Sequence, residues 1–99
     1  MKKNNLINVA IQVLPEADGK TKYELVDAAI AVITGSGLKY RVCPFETVVE
    51  CTLEQALLLI PEIHEACRTA GTDRMLTYLK IQTDFNRDVT IEDKMEKYD

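Results

Sequence analysis

Gly37-Leu38-Lys39-Tyr40-Arg41-Val42-Cys43-Pro44-Phe45-Glu46-Thr47-Val48-Val49-Glu50-Cys51 is the stretch whose reading decides the fold. Tyr40, Val42, Thr47, Val48 and Val49 are residue types that pack well on a pleated surface. Pro44-Phe45-Glu46 interrupts them as a hairpin connection does. The stretch therefore predicts two antiparallel strands and a tight turn, with the Thr47 hydroxyl and the Glu50 carboxylate nearby as candidate recognition groups rather than catalytic ones.

On the N-terminal side, Ile7, Val9, Ile11 and Val13 alternate with Asn8, Ala10 and Gln12, the period-two pattern of a strand with one buried face. Pro15-Glu16-Ala17-Asp18-Gly19 breaks that strand. Tyr23, Val26, Ile30 and Ile33 then recur at helical spacing, and Gly35-Ser36-Gly37 ends the helix before the hairpin begins.

On the C-terminal side, Thr52 followed by Gln55 matches a capping box, which predicts a second helix starting at Thr52. Leu53, Ala56, Leu57, Ile60, Ile63 and Cys67 give it an apolar face, Ala70-Gly71 a stop, and Pro61 an expected kink. Arg74 to Asp84 reads as a last strand, and its two partly apolar faces place it centrally in the sheet. Thr90 and Asp93 cap a short final helix anchored by Ile91 and Met95, packed on the rim of the domain or on a neighbour.

Strand, helix, strand, strand, helix, strand is the ferredoxin-like α+β arrangement, βαββαβ, with a four-stranded antiparallel sheet, helices on one face and a short C-terminal helix. The other face is expected to be uncovered. With Ala10, Leu76 and Tyr78 on it, two sheets would pair face to face as a homodimer or homotetramer.

The composition fits one domain over residues 1–99: 46% hydrophobic and 28% charged, a size that buries only about two-thirds of the unfolded surface. A formal net charge of −4 without a basic stripe excludes a nucleic-acid backbone as partner. Lys2 and Lys3 read as a solvated terminus. Cysteines at 43, 51 and 67, odd in number and without a Cys-x-x-Cys pair, suggest neither a disulfide framework nor a zinc site. The apolar run from Leu6 to Leu14 is interrupted by Asn8 and Gln12 and lacks a cleavage site, so a cytoplasmic protein outside the membrane is expected.

Read together, these segments resemble the thiamine-binding-like domain family. The resemblance lies in Ala10-Ile11-Gln12-Val13-Leu14-Pro15, Gly37-Leu38-Lys39-Tyr40, Pro44 with Thr47, Val49-Glu50, and Ile63-His64-Glu65. Leu79-Lys80-Ile81 and Thr90-Ile91-Glu92-Asp93-Lys94 complete it, so that it runs along nearly the whole chain. Two places depart from the family pattern: its Pro-Met-Gly-Thr turn reads Pro44-Phe45-Glu46-Thr47, and Cys51 stands where a glycine follows the glutamate. The resemblance implies a ferredoxin-like dimer or tetramer that holds thiamine or its hydroxymethylpyrimidine moiety without turning it over and without a cofactor.

An aminopyrimidine shows a ring acceptor beside an amine donor, so a matching site needs a carboxylate or amide, a hydroxyl and an apolar wall. Glu50, Thr47, Gln12 and the rings of Tyr40 and Phe45 are the candidate ligand-binding residues. Thr47 and Glu50 are three apart, so both reach one ligand only if the strand is bulged or bent. The structural alternative has Thr47 satisfying the turn, Glu50 paired with Lys39 or Arg41, Tyr40 in the core or an interface, Phe45 plugging the hairpin tip, and Gln12 bridging to another chain.

His64, the single histidine, is expected to make a structural hydrogen bond near the sheet or the helix edge. Cys67 and His64 lie three apart without an oxyanion hole nearby, and the acidic residues from Asp84 to Glu96 match no calcium loop, so no catalytic residue and no metal ligand is expected. The competing function is a regulatory or assembly module that oligomerises through its open sheet face. A small enzyme on the same fold is the third possibility, and the lack of a base or nucleophile cluster counts against it.

Overall fold

The computed structural model describes residues 5–99, so the reading of Lys2 and Lys3 lies outside the described residues. The elements are β1 (Ile7–Glu16), α1 (Lys22–Thr34), β2 (Lys39–Val42), β3 (Thr47–Cys51), α2 (Leu53–Thr69), β4 (Arg74–Gln82) and α3 (Ile91–Met95). The strands form one antiparallel sheet in the order β2-β3-β1-β4. This is the expected ferredoxin-like α+β fold.

Alternation along β1 does what its pattern implies. Ile7, Val9, Ile11 and Val13 face the helices and are buried with Val49 and Cys51 of β3. Ala29 and Ile33 of α1 and Ala56, Leu59, Ile63 and Cys67 of α2 close that core from above.

Local chemistry fixes the helix ends. Gln55 N donates to Thr52 Oγ1 at 3.2 Å and Thr52 N donates to Gln55 Oε1 at 2.9 Å, a complete capping box at the start of α2. At its other end, Thr72 N donates to Cys67 O and Gly71 N to Arg68 O, the paired bonds of a Schellman stop. Gly71 sits there at φ +105, which favours a residue without Cβ. Between these ends α2 runs through Pro61 as one helix.

Four expectations need correction. Tyr23 is 84% exposed, because Leu25, Ala29 and Ile33 form the buried stripe of α1 and turn Tyr23 outward. In α2 the run Leu57-Leu58-Leu59 buries its third member, leaving Leu53 and Leu57 exposed. β4 is an edge strand beside β1, not a central one, and Leu76, Tyr78, Leu79 and Ile81 remain exposed on its two faces.

The fourth correction concerns the sheet face away from α1 and α2, which is half covered by the chain itself. Leu6 N donates to Asp88 Oδ1 at 2.8 Å, Val89 N to Leu6 O at 2.9 Å, and Asn8 Nδ2 to Val89 O at 2.9 Å. These bonds fasten the end of the chain beside the start of β1. Thr90 Oγ1 then accepts from Asp93 N at 3.1 Å, and α3 lies over the strands with Ile91 buried.

Candidate functional site

The hairpin turn is closed by Cys43 N donating to Glu46 O at 2.9 Å, which projects Pro44 and Phe45 beyond the sheet. Between this tip and α1 lies a cleft of about 230 Å³. Tyr23 and Asp27, four apart and so on one face of α1, form one side. Phe45, Glu46 and Thr47 form the other, and Gln12 and Val13 of β1 lie between.

The β1–β3 ladder ends at Ile11↔Thr47, so beyond it β1 has no strand neighbour on the hairpin side. Backbone donors and acceptors at Gln12 and Val13 thus border the cleft. Thr47 is buried at its floor, whereas Phe45, 82% exposed, overhangs its mouth. Glu46 is held by Lys80 Nζ at 3.1 Å, which reaches over from β4. The Glu46 carboxylate thus turns with Lys80 to the opposite face of the sheet, and the cleft combines two aromatic rings, the Asp27 carboxylate and a strand edge, a set suited to a flat, polar, cationic ligand.

The five candidate residues do not come together as one group. Gln12, Phe45 and Thr47 line this cleft. Tyr40 stands outside it on β2, opposite Val49, and is 40% exposed. Glu50 is on the opposite face of the sheet: β3 pairs regularly with both neighbours and carries no bulge, so Thr47 and Glu50 alternate apart. Glu50 Oε1 accepts from Ile91 N at 2.8 Å and so helps hold α3. Neither Lys39 nor Arg41 is its salt-bridge partner; Arg41 pairs with Asp99 at 2.7 Å.

Tyr23, Asp27 and Glu46 are the lining residues that sequence reasoning missed. The signal for the first two was their four-residue spacing on α1, which the apolar pattern masked by claiming Tyr23 for the core. Glu46 sat inside the turn as part of a motif and carried no chemistry of its own in that reading.

His64 Nε2 lies 3.0 Å from Thr77 Oγ1, a contact between α2 and β4 of the expected structural kind. Cys43, Cys51 and Cys67 are free thiols, and burial pushes the pKa of Cys51 and Cys67 upward. Among the described residues no group of three or more His, Cys, Asp or Glu side chains is arranged to hold a metal ion.

Residues 9–99 match the family model described as thiamine-binding protein. The chain is 34% identical to the UPF0045 protein CPE1503 of Clostridium perfringens over 92% of this chain and 95% of that one. Its fold is similar to that of a DUF77 domain of unknown function from Bacillus cereus, with a TM-score of 0.91 and 33% identity over 97% of this chain and 92% of the other. It is also similar to a proposed thiamine biosynthesis/salvage protein of Thermotoga maritima, with a TM-score of 0.86 and 30% identity over 95% of this chain and 99% of that one. The fold, the matched family model and these relatives agree that the chain belongs to the thiamine-binding protein family.

Proposed function

We propose that this protein binds thiamine or its hydroxymethylpyrimidine moiety without turning it over, in the cleft between the hairpin tip and α1. Family membership supports a thiamine-related ligand. The observation that carries the location is the meeting of Tyr23 and Phe45 with Asp27 in one cleft. A thiazolium ring is a permanent cation, attracted by aromatic faces and by carboxylates alike. The aminopyrimidine edge, donor beside acceptor, complements the Thr47 hydroxyl and the adjoining backbone of β1, the Gln12 side chain itself alternating to the other face of the sheet. The departure of the turn from the family pattern then has a use, since Phe45 supplies one of the two rings.

The test is calorimetric titration of the purified protein with thiamine and, separately, with hydroxymethylpyrimidine. Saturable binding is expected for both, tighter for thiamine. Asp27→Asn and Phe45→Ala should each weaken thiamine by about tenfold, the loss of one charge-assisted or cation–π contact in a partly desolvated site. Absence of saturable binding at micromolar concentrations would sink the reading.

A second reading, assembly through the open sheet face, is favoured by Leu14, Leu76 and Tyr78, which remain exposed beside one another on the half that α3 leaves bare. Asn8 is not available to such an interface, being 5% exposed and bonded to Val89. A homodimer or homotetramer on that patch is compatible with a ligand cleft on the other side of the sheet. Light scattering of the wild type against Leu76→Lys decides it, with a shift to monomer expected. The three free thiols fit a reducing compartment, and the cytoplasm is the proposed location.

A further inference from the structure

A second cavity, about 310 Å³, lies on the other side of the sheet, beneath α3, away from the proposed thiamine site. Its floor follows from the strand register. Arg41 is opposite Val48, Val48 opposite Ala10, and Ala10 opposite Lys80, so one row crosses all four strands. The two inner members of that row are small, and the two outer ones are long cations. Ile91 and Met95 of α3 wall the space, and Lys94 of α3 adds a third cation at its rim.

In a chain of formal net charge −4, this cavity is lined by three cations and one acid, Glu46, a local surplus of two positive charges. Arg41 already shows the shape of its preferred occupant. Its Nη1 and Nη2 donate to Asp99 Oδ2 and Oδ1 at 2.7 and 2.8 Å, a bidentate grip on a planar anion. Lys80 reaches the same hairpin through Glu46, and Lys94 meets only the neutral Gln82.

We infer that this cavity is a second binding site, for a small phosphate monoester, and that Asp99 holds the anion position on Arg41 when the site is empty. A carboxylate would satisfy Arg41 alone. A phosphate monoester near neutral pH carries a charge approaching −2 and three acceptor oxygens, which matches the surplus and shares it among Arg41, Lys80 and Lys94.

Because Asp99 and the ligand compete for one guanidinium, binding displaces the end of the chain from β2. Glu46 and Cys43 line both this cavity and the cleft above the sheet, so the hairpin turn is shared by the two sites.

The test is titration of the full chain with methyl phosphate, with inorganic phosphate and acetate as comparison probes. Saturable binding is expected, tightened about tenfold by Asp99→Asn, which removes the competitor, and weakened about tenfold by Arg41→Gln or Lys80→Gln, each losing a charge-assisted contact. Acetate, with a single negative charge, should bind least tightly. Circular dichroism confirms that the variants are folded, as substitutions in exposed ion pairs allow. The proposal is overturned by absence of saturation in both the wild type and Asp99→Asn, by affinities indifferent to Arg41→Gln and Lys80→Gln, or by acetate matching the phosphate ester. Thiamine titrated into Arg41→Gln is expected to behave as with the wild type, so failure of one site leaves the other standing.

Discussion

Glu50 and Ile91 are 41 residues apart in the chain, yet the Glu50 carboxylate on β3 accepts a hydrogen bond from the Ile91 backbone N–H at 2.8 Å, the first helical residue of α3. A strand side chain thereby caps a helix that has only five residues of its own and would not persist alone.

Replacing Glu50 by Ala should destabilise the protein by about 1–2 kcal/mol, the range for a partly buried bond to a charged acceptor, and release α3. Urea unfolding measures the loss. Glu50→Gln keeps an acceptor oxygen and should cost less. Neither change should weaken thiamine by more than about twofold, since Glu50 is across the sheet from the proposed cleft.

Pro61 lies within α2 and cannot donate the backbone hydrogen bond that its position would otherwise make. It is also exposed, so Pro61→Ala removes no packing. This substitution should stabilise the protein by about 1 kcal/mol or more, part of the roughly 3 kcal/mol helix penalty of proline. For a domain of this size that corresponds to a rise in Tm of about 4–8 °C. An unchanged or lowered Tm would show that α2 requires the proline geometry.

The three thiols should separate by reactivity. Cys51 and Cys67 are each 1% exposed and have thiols raised in pKa by burial, which keeps them protonated and shielded at neutral pH. Cys43 is half-buried at the hairpin and borders both cavities. Iodoacetamide followed by mass spectrometry should find one rapid adduct, on Cys43, with the other two appearing only as the protein unfolds. Thiamine bound in the cleft should slow that first adduct.

Acid should loosen the end of the chain. The hydrogen bond from Arg41, aided by its charge, lowers the pKa of the Asp99 carboxyl below the usual carboxylate range. A carboxyl whose folded value is depressed stabilises the folded state above its unfolded value, about 4, and that contribution disappears as pH falls through the folded value. Glu65, depressed by its bond to Arg68, has the same sign. NMR titration should place Asp99 below an ordinary aspartate in the wild type and at the ordinary value in Arg41→Gln. Both groups are fully exposed, so the expected change is in the local pairing rather than in global stability.

Much of the fold was legible because it depends on local rules. The alternation of β1, the proline turn and the Thr52–Gln55 box each act within a few residues, and each stands where the sequence predicts. β4 was misread because apolar residues on both faces are the mark of a central strand. Here they are exposed at an edge. The seat of α3 was illegible for a different reason: its partners Leu6, Asn8 and Glu50 lie 41 to 82 residues away. The candidate site was half legible. Gln12, Phe45 and Thr47 do meet, whereas Glu50 was assigned to the wrong side of the sheet by its closeness in sequence to Thr47. Asp27 became visible only once α1 was turned to bury Leu25.

The bonds that tie Leu6 and Asn8 to Asp88 and Val89 span 82 and 81 residues. β1 finds its strand partners only in β3 and β4, so none of its ladder bonds can form while it is the newest segment made. At a synthesis rate of about 5–20 residues per second, its outermost bonds wait roughly 4–16 seconds for their partners. Until β3 and β4 follow, the strand that buries the most apolar side chains stands unpaired on the ribosome, a natural client for whatever shields nascent chains.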